Sequence, residues 1–173
     1  MEVSVESKNN TDIDNSNTIS PVSDIDIYKF ISASLINSGL SLEKQDICSY
    51  SPLTLAYIGD AVYELIVRSM IVTEGNAPVN KMHKRSSNLV KAETQANMIK
   101  YFLENDLLSE EELRVYKRGR NAQSYTKAKN ASMTDYRMAT GFEALVGYLY
   151  LSDQNERMME LVGKCLELEE NSK

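Results

Sequence analysis

Two apolar stretches each carry one carboxylate, and no other feature limits the fold of this chain so tightly. The first is Ala56-Tyr57-Ile58-Gly59-Asp60-Ala61-Val62-Tyr63; the second is Gly141-Phe142-Glu143-Ala144-Leu145-Val146-Gly147-Tyr148-Leu149. Both read as helices. A buried carboxylate is costly unless paired with a cation or bound to a metal, and no Lys or Arg lies within the same turns as either acid. Gly59 and Gly147 each lower helix propensity by about 1 kcal/mol relative to Ala. A glycine kept inside a helix often marks the close approach of another helix. The two helices are therefore expected to cross and bring Asp60 and Glu143 together.

The rest of the chain supports an all-α fold. Ser51-Pro52 opens a helical reading that runs to about Val72, with Pro in the first turn where it is favoured. The spacing predicts one further helix from about Asn80 to Leu103. It buries Met82, Leu89, Ala92, Ala96 and Ile99 and exposes Lys81, Lys84, Arg85, Asn88, Lys91 and Gln95 as a polar stripe. Ser109-Glu110-Glu111-Glu112 is a capping-box pattern, and its helix is expected to stop at Gly119. Residues 120–133 read as a mobile basic loop. Helices then follow from Thr134-Asp135 and from Ser152-Asp153, and no stretch alternates with a period of two. Residues 1–24 read as a disordered acidic and polar tail, 25–47 as an accessory helix and linker, 48–168 as the folded domain, and 169–173 as a second tail.

Facing carboxylates without histidine suit a hard cation such as Mg²⁺, which keeps several waters and binds through one or two carboxylates. Glu64, one turn after Asp60, shares its helix face and is a further candidate ligand, directly or through water. The competing reading is that these acids cap neighbouring helices or reach solvent. Other metal chemistry has little to work with, because His83 is the single histidine and Cys48 and Cys165 lie far apart. No apolar run approaches the roughly 18 residues of a membrane span. The N-terminus is neither a signal nor a transit peptide, so a cytoplasmic location is expected.

The formal charge of −6 argues mildly against a nucleic-acid partner until it is divided along the chain. Residues 1–50 alone carry a net −5, whereas residues 113–137 carry +6. Lys81, Lys84, Arg85 and Lys91 form a second basic group. A basic helix face is often no more than a solvated surface, so this pattern permits RNA binding without requiring it.

At these same residues the chain resembles the ribonuclease III family, and more closely its short bacterial branch, Mini-ribonuclease III. Leu55-Ala56-Tyr57-Ile58-Gly59-Asp60-Ala61-Val62 is similar to the first half of the family signature. His83-Lys84-Arg85-Ser86-Ser87-Asn88-Leu89-Val90 is similar to the basic helix that follows. Lys117-Arg118-Gly119-Arg120-Asn121-Ala122 resembles the Arg-Gly-Arg-Asn segment of the short branch, and Tyr136 to Leu151 resembles the second acidic motif. Four motifs stand in order over roughly residues 50–165.

The resemblance implies an all-α endonuclease domain that forms a homodimer and cuts double-stranded RNA with Mg²⁺, with precursor ribosomal RNA (23S) as its substrate. Asp60 matches the essential aspartate of the first motif and Glu143 the essential glutamate of the second. The chain departs from the full-length enzymes at Ala56 and Thr140, where they carry two further acids; the short branch shows the same thinning. Residues 152–173 are too few for a double-stranded-RNA-binding domain, which would grip about 16 bp. RNA must then be held by the catalytic domain or by a helper such as a ribosomal protein. The candidate contacts are His83, Lys84, Arg85, Lys117, Arg118, Arg120, Asn121, Lys127 and Lys129. Arg118 and Arg120 suit bidentate phosphate contact. The missing acids leave one rival reading, a non-catalytic RNA-binding or ribosome-assembly module with the same fold.

Overall fold

A computed structural model describes residues 31, 33–35, 37–38, 46–123 and 132–171, with side chains up to residue 168. The expected N-terminal tail, most of the accessory helix, and Lys127 and Lys129 lie outside the described residues. Every regular element among the described residues is helical. A 3₁₀ turn at Ile47–Ser49 precedes α1 (Pro52–Thr73), α2 (Val79–Val90), α3 (Ala92–Glu104), α4 (Glu110–Asn121), α5 (Met133–Leu151) and α6 (Asn155–Asn171).

The caps are local chemistry. The Ser51 side chain accepts from the Thr54 amide at 3.0 Å and starts α1. Ser109 and Glu112 close the expected capping box at α4, and Ser132 receives the Asp135 amide at 3.0 Å to start α5. Gly75, with φ of 129°, makes the turn after α1.

Helix α5 is the axis of the molecule. It packs against α1, α3, α4 and α6. Ala139 to Phe142, Ala144 to Gly147, Leu149 and Tyr150 are all buried along it. Tyr63 of α1 meets Phe142 edge to face at 5.1 Å, an arrangement favoured by the ring quadrupoles. At the far side Arg157 of α6 reaches α4, donating from Nε to Glu112 Oε1 at 2.9 Å and from Nη2 to the Leu107 carbonyl at 2.6 Å. Glu112 is buried, which alone would raise its pKa. The Arg157 hydrogen bonds and the Ser109 amide outweigh burial and hold its carboxyl below the ordinary value.

Two expectations are corrected. The single helix from Asn80 to Leu103 is two helices, because Lys91 is extended with φ −65° and ψ 147°. The carbonyls freed at this break find side-chain donors: Thr94 Oγ1 reaches the Asn88 carbonyl at 2.8 Å and Gln95 Nε2 the Val90 carbonyl at 3.2 Å. Gln95 therefore leaves the expected polar stripe and is completely buried, at 0 % exposure. Gly119 does not end its helix either. A Cβ there would sit 2.7 Å from the Ala144 Cβ, so this glycine serves the contact between α4 and α5.

Candidate functional site

Helices α1 and α5 cross with their main chains in contact. A Cβ on Gly59 would fall 1.8 Å from the Glu143 carbonyl oxygen and 2.7 Å from the Gly147 nitrogen. One on Gly147 would fall 2.0 Å from the Leu55 carbonyl oxygen. Only glycine fits at either position. Asp60 follows Gly59 directly, and the Glu143 main chain is what Gly59 touches, so the crossing itself sets the two acids beside each other.

Their electrostatics show the proximity. Burial, then the nearby Asp60 charge, pushes the Glu143 carboxyl up to about 8. Asp60 is open to solvent on one side, yet partial desolvation and then Glu64 raise its pKa as well. Neither acid has a Lys or Arg within ion-pair distance among the described residues. Two like charges without a countercharge are what a bound divalent cation neutralises, and the donors are the oxygen ligands that hard cations prefer. The residues fit such an ion.

The set is small. No group of three or more His, Cys, Asp or Glu side chains arranged to hold a metal occurs among the described residues. Glu64 shares the face of Asp60 but is engaged by Arg68 Nη2 at 2.5 Å; to serve as a ligand it must leave this pair or act through water. Ala56 is buried beside Leu55, Val115 and Ala144. The Thr140 hydroxyl donates to the Tyr136 carbonyl at 3.0 Å. Neither position offers a further ligand, so water and substrate must complete any coordination shell.

The basic candidates divide in two. His83 and Lys84 are exposed on α2, and Lys117 and Asn121 are exposed around the end of α4. Others are already occupied. Arg85 makes a two-pronged ion pair with Glu74, one prong at 2.7 Å. Arg118 Nη2 donates to the Tyr50 carbonyl at 3.3 Å. Arg120 lies over the Tyr116 ring, 5.8 Å from its centroid. The structure also moves a residue that the sequence reading put on the surface: Gln95 is wholly buried on α3. Gln95, Met98, Ile99 and Phe102 share the spacing of one buried helix face, and that pattern could have found it.

Comparison with known proteins is consistent along most of the chain. Residues 53–154 match the Ribonuclease III domain. A Mini-ribonuclease 3 of Clostridium tetani is 48% identical over 78% of this chain and 88% of its own. That of a Thermoanaerobacter species is 50% identical over 70% of this chain and 84% of its own. A crystal structure of a Fusobacterium nucleatum protein superimposes with a TM-score of 0.64 at 28% identity, covering 72% of this chain and 98% of that one.

Proposed function

The chain belongs to the ribonuclease III family, in its short Mini-ribonuclease III branch, and from that premise we propose that it hydrolyses double-stranded RNA in a reaction that depends on Mg²⁺. It is an endoribonuclease. The observation that carries the metal-dependent reading is the uncompensated pair Asp60 and Glu143 at the glycine crossing. Residues 48–168 make up the catalytic domain. Precursor 23S ribosomal RNA in the cytoplasm is the substrate by family likeness, with a ribosomal protein as a candidate helper.

Asp60 and Glu143 would hold the ion. When bound, it supplies charge stabilisation for the attacking water and the departing 3′ oxygen of a phosphodiester. The protein's own part is division of labour. Glu143, half-buried on α5, is the inner ligand. Asp60, open to solvent, faces the side from which a phosphate can arrive. Lys84 and Lys117 are the exposed candidates to neutralise backbone phosphates, Arg118 joins them on leaving the Tyr50 carbonyl, Arg120 and Asn121 lie beside it in sequence, and cleavage leaves 5′-phosphate and 3′-hydroxyl ends. Lys84→Ala and Lys117→Ala are each expected to reduce the slope of log affinity against log salt by about one; equilibrium binding to a duplex over a salt series measures it.

A homodimer is supported by an apolar ridge on α1. Leu53, Tyr57 and Leu65, spaced four and eight apart, are exposed, Tyr57 at 82 %. A patch of this kind on an otherwise packed helix suits a second copy of the chain. Tyr57→Ser is expected to shift the protein from dimer to monomer in analytical ultracentrifugation; an unchanged mass places the interface elsewhere.

The buried Ala56 and the internally bonded Thr140 favour the rival reading of a binding module without catalysis. Incubating the full chain with duplex RNA in Mg²⁺, and again in EDTA, separates the two. Metal-dependent cutting upholds the enzyme, and binding without cutting upholds the module.

A further inference from the structure

Arg120 is a half-buried cation without a countercharge. No carboxylate lies within ion-pair distance of it among the described residues. Its guanidinium rests over the Tyr116 ring, 5.8 Å from the centroid, and its Nε donates to Asn121 Oδ1 at 3.3 Å. Its two Nη nitrogens have no acceptor among the described residues. Arg85, Arg114 and Arg157 instead spend theirs on carboxylates.

The ring beneath Arg120 is fixed. Tyr116 is 1 % exposed, and it fills the space left by the missing side chain of Gly141, where a Cβ would lie 2.6 Å from the Tyr116 Cδ2 and Cε2. The Tyr116 hydroxyl is buried without a hydrogen-bond partner among the described residues, so the residue contributes a ring surface and no polar contact. Gly119 presses on the same turn of α5, since a Cβ there would lie 2.9 Å from the Gly141 Cα and 3.1 Å from the Thr140 carbonyl oxygen. The stretch from Tyr116 to Arg120 therefore lies directly on the turn that leads into Glu143. A guanidinium stacked on an aromatic face keeps its hydrogen-bonding edge free, and a free pair of Nη donors matches two oxygens of one phosphate. Restraint before binding also reduces the ordering cost when the ligand arrives.

We propose that Tyr116 is a positioning residue for RNA, its buried ring holding the Arg120 guanidinium so that both Nη groups meet one backbone phosphate. The inference rests on the double-stranded-RNA reading given above. The test uses the full chain with Arg120→Gln, Tyr116→Phe, Tyr116→Leu and the combination of Tyr116→Leu with Arg120→Gln. Equilibrium binding to a duplex RNA in EDTA is read over a salt series, cleavage in Mg²⁺ as separate kcat and KM, and the fold by thermal unfolding. Arg120→Gln is expected to weaken binding and reduce the salt slope by about one. Tyr116→Phe keeps the ring and should bind as the wild type does. Tyr116→Leu keeps the charge but loses the ring, and is expected to weaken binding about fivefold and to raise KM with kcat unchanged. In the Arg120→Gln background the same change should cost no further affinity, which a purely structural role for Tyr116 would not produce.

If Tyr116→Leu does not fold, ¹⁵N relaxation of the Arg120 Nε decides the matter in the wild type. That nitrogen is expected to be as ordered without RNA as the backbone of α4; one as mobile as the Nε of the exposed Arg137 overturns the inference. Wild-type affinity in folded Tyr116→Leu also overturns it, as does a loss that simply adds to that of Arg120→Gln. Unchanged affinity in Arg120→Gln, with a wild type that binds and cuts the duplex, overturns this inference alone. A wild type that neither binds nor cuts the duplex overturns the double-stranded-RNA reading and takes this inference with it.

Discussion

Glu143→Gln and Asp60→Asn are each expected to lower duplex-RNA cleavage by about 10³-fold or more, equivalent to about 4 kcal/mol of transition-state stabilisation, without unfolding the protein. Either variant that folds and still cuts at the wild-type rate in Mg²⁺ removes these residues from the reaction. For Glu143 the loss of activity is expected to come with a gain in stability. Its carboxyl has an ordinary pKa of 4.5 and in the metal-free fold is pushed up to about 8 by burial and by Asp60. The fold therefore favours the protonated acid. That contribution is complete below the unfolded-state value and is lost as pH rises through about 8. Metal-free wild-type protein should melt at progressively lower temperature between these limits, and Glu143→Gln should flatten the decline. A divalent cation should recover the lost stability in the wild type and not in the variant.

The second large effect is structural. Gly59→Ala forces a methyl group to within 1.8 Å of the Glu143 carbonyl oxygen, and main chain cannot step aside as a side-chain tip can. The expected cost is about 3 kcal/mol or more, at or above the upper end for overpacking, with a fall in Tm on the order of 10 °C. Gly163 provides the control. A Cβ there meets nothing within 4 Å, so Gly163→Ala should stabilise α6 by up to about 1 kcal/mol. Parallel thermal melts of the two variants check both signs. Equal shifts would mean that the crossing is looser than its contacts imply.

The features readable in the sequence were those whose cause is local or periodic. The capping box at Ser109 is written in four consecutive residues. The crossing of α1 and α5 follows from two glycines set in apolar helices that would otherwise exclude them. The break at Lys91 has no comparable local signal. Residues 80–103 keep a helical period throughout, and the extended conformation at Lys91 depends on carbonyls that Thr94 and Gln95 satisfy only once the chain has turned. That hidden break is why Gln95 read as surface. Gly119 misled for a related reason. Glycine after a basic turn is a common stop, and only the presence of Ala144 across the interface shows that its missing side chain serves packing. The basic residues were legible as charges but not as commitments. Nothing near Arg85 in sequence says that Glu74, eleven residues earlier, holds it.

At the glycine crossing α1 and α5 touch through carbonyl and amide atoms, and so the spacing of the two helices beneath the carboxylates is written in main-chain dimensions. Side chains such as Val62, Leu145 and Val146 fill the interior around that junction without defining it. Substitutions among them can alter how firmly the molecule holds together while the distance between the two helices at the crossing keeps its value. The two properties can drift apart over evolutionary time, since a core can be rewritten residue by residue around a gauge that no apolar side chain sets.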